Sequence, residues 1–215
     1  MQRYYNETWH ADSTRLAYGS ETGGDANDAG LARHGLRAGA YWLVVARLEP
    51  ENNTELIVRG HLESGLAGPL VVVGNASHES AWSRRLMSHA CERVRFVGGV
   101  YDAGELNGLY RGCRAYLHGH EVGGTNPSLL RAMRWASPCL ALETAFNRET
   151  LADTGLFFSK DLAALARLLR EVDSDPAALR ALGDRAALRA RTAYRWEDVA
   201  AGYAALFRRL AHREG

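Results

Sequence analysis

No run of about twenty apolar residues occurs in the chain, so no segment is long enough to span the hydrocarbon core of a bilayer. The start, MQRYYNETWHADS, lacks the basic stretch and apolar stretch of a secretory leader. A cytoplasmic protein is expected. Cysteine is scarce: Cys91, Cys113 and Cys139 are odd in number, far apart and without a CxxC pair, which argues against a disulfide framework or a zinc site. Buried free thiols are the expectation. Lysine is nearly absent, Lys160 being the only one, and this reflects compositional bias rather than a chemistry that demands arginine. Charge of one sign is also missing: 26 basic and 25 acidic residues leave a formal charge of +1, too little to steer the chain to nucleic acid or an anionic membrane. Recognition must come from a local site. Three Asn-x-Ser/Thr triplets, at Asn6, Asn52 and Asn75, are chance matches without a secretory signal. No GxGxxG follows a strand, and neither GxSxG nor a Walker sequence occurs, which disfavours dinucleotide oxidoreductases, serine hydrolases and P-loop enzymes.

What is present is a regular alternation. Residues 41–46, 70–73, 94–97, 115–118, 139–142 and 156–158 form short continuous apolar runs, the pattern of strands buried on both faces. Helical stretches are expected at 51–64, 79–90, 103–113, 127–135 and near Arg148 between them, and at 162–172, 176–192 and 196–212 after them, with Asp175-Pro176 as a helix start. This predicts an α/β fold, a Rossmann-like doubly wound parallel sheet with C-terminal helices. Before it, residues 2–9 read as a short helix and 13–18 as a strand. Residues 19–39, rich in Gly, Asp, Asn and Ala, read as a linker or long loop. At 215 residues the chain suits one substantial domain with attachments and is too short for two full Rossmann-like domains.

Ligands of such sheets bind beyond the carboxyl ends of the strands. The longest loop there, from His118 to Pro127, has two glycines, Gly123 and Gly124, that allow close backbone approach. Thr125 or Asn126 can then cap a helix whose first residue is Pro127. Free N–H groups at that helix start favour an anion such as a diphosphate, though the same residues also fit an ordinary capped turn. Arg47, just after the first strand, supplies a permanent cation suited to phosphate, or to a surface salt bridge. His118 and His120 are two of the ligands a metal would need, but the sequence places no third, and no metal is expected. Glu121 is either a sugar contact or a solvated loop residue.

These loops resemble the retaining glycosyltransferases of family four, in particular their bacterial rhamnosyltransferase-like branch. VARLEPENN at 45–53 is similar to the segment after the first donor-domain strand, FVGGV at 96–100 to the base-binding turn, and HEVGGTNPSLLRAM at 120–133 to the phosphate and sugar loop. FNRET at 146–150 and the terminal helices also fit, so the likeness runs from Tyr41 to the C-terminus. The resemblance implies one half of a GT-B fold: residues 1–24 a remnant of an N-terminal acceptor domain, 25–40 a linker, and 41–215 the nucleotide-sugar-binding domain. It further implies transfer of a hexose or rhamnose-like deoxyhexose from a nucleotide diphosphate sugar to a glycan acceptor. Configuration would be retained, with no cofactor and no obligatory metal. Arg47 and Asn52 would serve the diphosphate, the backbone at Val97 and Gly98 the base, and Gly123, Gly124, Thr125 and Asn126 the phosphates and sugar. Glu121 and Gly123 are candidate sugar contacts; the catalytic residue is not identified. The acceptor, and any peripheral membrane contact, would come through the missing half, so the chain alone is expected to be inactive.

Two departures stand out. Asn52 occupies the place of a basic residue, and the E-x7-E pattern has Gly123 and Arg131 where the family has glutamates. Arg131 cannot accept from ribose hydroxyls as a carboxylate does. It either replaces the cation missing at Asn52 or lies on the solvated face of its helix. The rival reading is a stand-alone nucleotide-sugar-binding or regulatory module.

Overall fold

Short runs such as Leu70-Val71-Val72-Val73 are apolar at every position and mostly β-branched, so they lower their free energy only where both faces of a strand are covered. The computed structural model describes residues 2–11, 13–20 and 24–211. In chain order it contains α1 (Gln2–Trp9), α2 (Ala29–Arg33), β1 (Trp42–Val45), α3 (Thr54–Ser64), β2 (Leu70–Val73), α4 (Ala81–Met87), β3 (Val94–Gly98), α5 (Ala103–Gly112), β4 (Ala115–His118), α6 (Pro127–Arg134), β5 (Cys139–Leu142), α7 (Ala145–Leu151), β6 (Leu156–Phe158), α8 (Leu162–Asp173), α9 (Pro176–Ala193) and α10 (Trp196–Ala211). The strands form one parallel sheet in the order β3-β2-β1-β4-β5-β6.

Alternate residues of each strand feed two cores. Leu43, Val71, Val73, Tyr116 and Ala141 pack on one face against α5, α6 and α9. Trp42, Val44, Leu70, Val72, Leu117 and Leu140 pack on the other against α3 and α8. The chain order reverses between β1 and β4, which leaves a crevice at their carboxyl ends where no crossover helix can cover it. No helix among the described residues is long and apolar enough to cross a membrane.

The structure departs from the sequence reading at several boundaries. Residues 13–18 have no regular secondary structure and join no sheet, so the expected strand is absent. They lie instead along the C-terminal helices: Gly202 leaves room for Leu16, and Gly19 for the Trp196 ring. The expected linker contains α2, which buries Leu31 against α5, while Leu36 just after it joins the same core. Its five residues are too few to display a helical period. Gly108 makes that packing possible, since a Cβ there would lie 1.8 Å from the Asn27 carbonyl oxygen. The helix expected over 51–64 is split into a 3₁₀ turn (Pro50–Asn52) and α3 by Asn53, whose φ of 50° is left-handed. In place of a helix over 79–90, α4 starts at a reciprocal Ser80–Ser83 cap and runs only to Met87. The expected end of the last helix at His212 lies outside the described residues, as do parts of the N-terminal remnant and linker.

Candidate functional site

The crevice opens into a cleft of about 840 Å³. Its shape depends on two glycines. Gly74 ends β2 at φ 138°, and a Cβ there would lie 1.8 Å from the Ala46 carbonyl oxygen, so the loops after β1 and β2 can cross only with glycine at this point. Gly119 does the same for the loops after β1 and β4, since a Cβ would stand 2.2 Å from the Asn52 carbonyl oxygen. Asn53 closes this crossing by donating from Nδ2 to the Gly119 carbonyl at 2.9 Å.

Arg47 lines the cleft and is exposed, and its guanidinium makes no salt bridge to a described residue. Asn52 also lines the cleft but is buried, and its Nδ2 donates to the Arg47 carbonyl at 2.8 Å. It therefore shapes the backbone that carries the arginine. His120 borders the same space, its ring stacked on that of His118 with centroids 4.3 Å apart. Burial first, and then the Arg47 charge, lower its pKa to about 4, with Glu51 acting in the opposite direction. It is a neutral imidazole at pH 7. Burial likewise holds His118 well below the usual histidine range, and its Nδ1 is engaged with the Tyr116 hydroxyl at 3.0 Å. The two rings lie face to face, 10° from parallel. Among the described residues no three His, Cys, Asp or Glu side chains gather as a metal site.

The long loop after β4 divides between two cavities. Asn126, Pro127 and Ser128 border the main cleft, whereas Gly123, Gly124 and Thr125 border a second one of about 390 Å³, facing residues 13–18, Phe146 and Glu149. Asn126 caps α6 as expected: its side-chain oxygen accepts from the Ser128 N–H at 2.9 Å. The helix start is less open than anticipated, because Pro127 has no N–H and Asn126 occupies that of Ser128. Asn147, from the Phe-Asn-Arg-Glu-Thr segment, is buried and ties the loop down by donating to the carbonyls of His120 and Leu142 at 3.1 and 2.9 Å.

Other candidates fall elsewhere. Val97 packs on the core, and Gly98 faces an adjoining recess of about 400 Å³ beside Leu48 and Phe96 that shares Gly74, Asn75 and Ala76 with the main cleft. The next residues, Gly99, Val100 and Tyr101, are the ones that border the main cleft, together with Asn75 and Ser77. The sequence reading had FVGGV at 96–100 as the base-binding turn but gave the contact to Val97 and Gly98, and it passed over Ser77 and Tyr101 because a half-exposed turn carries no periodic signal. Tyr101 is 88% exposed, a large aromatic left in solvent at the cleft wall, and Asn75 donates to its hydroxyl at 3.3 Å. Glu121 does not border the main cleft. It pairs with Lys160 at 2.5 Å and accepts from Asn53, and the lysine above all holds its carboxyl below the usual range. Arg131 is half-buried one turn inside α6 and lines neither cavity. Its charge reaches Tyr110, where it opposes the dominant effect of burial in raising that hydroxyl's pKa.

Solved structures share this architecture. Sucrose-phosphate synthase from Thermosynechococcus elongatus superposes with a TM-score of 0.79 at 23% identity, over 99% of this chain and 57% of that one. A glycosyltransferase from Rickettsia africae gives 0.82 at 10% identity over 98% and 61%, and Anabaena HepE in complex with UDP gives 0.73 at 15% identity over 86% and 52%. The chain thus spans little more than half the length of these structures. Such identities establish the fold alone, that of a GT-B glycosyltransferase domain. No curated protein matches the sequence. The sequence model of the family described as "Glycosyl transferases group 1" matches residues 41–175, from the lead-in to β1 through α8, and the chain belongs to that family.

Proposed function

We propose that this chain is the nucleotide-sugar-binding half of a retaining glycosyltransferase that passes a hexose or rhamnose-like deoxyhexose to a glycan acceptor without a metal. The observation that carries the reading is the position of Arg47, an exposed guanidinium without a salt bridge to a described residue, at the mouth of the 840 Å³ cleft at the strand-order reversal. A diphosphate placed between Arg47 and the α6 start would meet a permanent cation on one side and the Asn126 side chain on the other. The neutral His120 ring beside it leaves room for a hydrogen bond without adding charge. Anabaena HepE, solved with UDP and with UDP-glucose, lends support for a uridine nucleotide as the first ligand to test.

In this proposal Gly99, Val100 and Tyr101 receive the base, and the second cleft beside Gly123, Gly124 and Thr125 leads toward the sugar. The acceptor would be positioned by a second lobe, against which the exposed apolar residues of α1 and α10 would pack. Without that lobe the reacting groups are not held together, and transfer is not expected. Calorimetry with UDP, GDP and dTDP on the 215-residue chain, beside a turnover assay, tests the reading. Nucleotide binding without turnover is expected. Arg47→Ala should weaken binding by roughly 1.5–3 kcal/mol, the range for a hydrogen bond to a charged group. Unchanged affinity in that variant would remove the assigned diphosphate site, and sugar transfer by the wild-type chain would overturn the half-enzyme reading.

A further inference from the structure

Behind the wall of the cleft, polar side chains form a line from the α6 start into the middle of the sheet. Asn126 Oδ1 lies 2.8 Å from Ser128 Oγ, Ser128 Oγ lies 3.0 Å from the Tyr116 hydroxyl, and that hydroxyl lies 3.0 Å from His118 Nδ1. Tyr116 and His118 are fully buried on β4, the strand at the sheet's centre. Nothing assigned so far to donor binding requires a buried tyrosine at this place.

The direction of every proton in this line follows from its first member. A backbone N–H can only donate, so the Asn126 atom 2.9 Å from the Ser128 N–H is the amide oxygen, and the amide nitrogen points the other way. That oxygen carries no hydrogen, so Ser128 donates its hydroxyl to it. Having spent its hydrogen, Ser128 accepts from Tyr116. Tyr116 in turn accepts from His118, which must carry its proton on Nδ1. The Val45 carbonyl, 3.4 Å from the same hydroxyl, is then a bystander. His118 Nε2 is left as a lone pair, a buried atom that meets no partner among the described residues.

We infer that Tyr116, through Ser128 and with His118 behind it, is a positioning residue that locks the Asn126 amide with its NH2 group presented to the cleft as a double donor for phosphate oxygens. The Ser128 N–H holds the amide oxygen with one bond, and the Ser128 hydroxyl, kept aimed at it by Tyr116, adds the second that opposes rotation of the amide, which would offer the same ligand a carbonyl oxygen that repels an anion. The inference rests on the donor-binding reading above and adds to it a residue that never touches the ligand.

The test uses UDP titrated calorimetrically into the 215-residue chain, with thermal unfolding as a control. Tyr116→Phe keeps the ring and deletes the central hydroxyl, and should weaken UDP binding about fivefold, the worth of one ordinary hydrogen bond. Asn126→Asp retains a good helix cap but turns a carboxylate oxygen toward the phosphates, so affinity should fall by more than about tenfold while thermal stability holds. The decisive arm is coupling: in an Asn126→Ala background, Tyr116→Phe should change affinity no further, because it acts only through Asn126. A merely structural role for Tyr116 would make the two losses additive, and that overturns the inference. So does full affinity in Tyr116→Phe. The ¹⁵N shifts of His118 give an answer independent of nucleotide: an Nδ1–H tautomer supports the relay, and an Nε2–H tautomer in the wild type rejects it. If wild-type chain shows that relay but no UDP affinity, the donor-site reading falls together with the binding role of Asn126.

Discussion

The carboxyl edge of the sheet and the terminal helices obey opposite rules. In β4 every residue is buried, and the loops that leave β1, β2 and β4 cross where only glycine fits. In α10 no residue is buried, and Tyr203, Phe207 and Leu210 present large apolar groups to solvent. Helix α1 is exposed along its described length, with Tyr4, Tyr5 and Trp9 uncovered. The sheet is closely packed on both faces, so its stability is internal. The terminal helices bury little of their own apolar surface, and contiguous exposed patches of this kind mark interaction surfaces.

The strongest way to break this contrast is Gly74→Ala. A methyl group 1.8 Å from the Ala46 carbonyl at a φ of 138° forces the loops after β1 and β2 apart. A loss on the order of 4 kcal/mol follows from strain and overpacking together. Urea unfolding followed by circular dichroism measures it; a cost below about 1 kcal/mol would mean that the crossing is loose.

A change of pH probes the same core. His61 is fully buried on α3, and neither ring nitrogen makes a full hydrogen bond to a described residue; burial, with Arg93 adding to it and the Gly68 backbone opposing it, lowers its pKa from 6.5 to about 4. The unfolded chain takes up this proton as pH falls through 6.5, whereas the folded chain resists until about 4, so the unfolded state binds more protons in that window. Stability is therefore full above 6.5 and declines toward 4, by about 3 kcal/mol from this residue. His118 and His120 push in the same direction. His61→Leu should flatten the decline by that share while costing little at pH 7, because no full hydrogen bond is lost. An unchanged slope between pH 6.5 and 4 in this variant would assign the decline to other groups.

The smallest effect is expected at the periphery. Phe207 is 62% exposed, and Phe207→Ser should change stability by less than about 0.5 kcal/mol while improving solubility. A loss of several kcal/mol, as in a packed core, would show that α10 covers its own apolar face and would end the comparison.

How far each region could be read from sequence follows the same division. The runs at 70–73, 115–118, 139–142 and 156–158 coincide with β2, β4, β5 and β6; the first three are buried at every position, so no solvent-facing residue interrupts them. The α6 cap was legible too, since Asn-Pro at a helix start combines a side-chain acceptor with a preset φ. Residues 13–18 misled because a strand is a partnership: a segment becomes sheet only beside an edge that accepts it, and α9 and α10 were nearer. Helix α2 went unseen because five residues in a Gly-rich stretch become helical only through what Leu31 buries.

Local residue chemistry by itself determined the alternating strands and helices, their parallel sheet and the loops available to a ligand. It also placed Arg47 and Asn126 at the carboxyl edge of the sheet. Only the tertiary structure decided which loop residues share a cavity. It set Gly99, Val100 and Tyr101 on the cleft wall in place of Val97 and Gly98, drew Glu121 aside to Lys160, divided the long loop between two clefts, and connected Asn126 to Tyr116 and His118. The reason is that a strand's periodicity is written in neighbouring residues. The direction of a loop side chain depends on partners tens of positions away, whose distance in space emerges only once the sheet has formed.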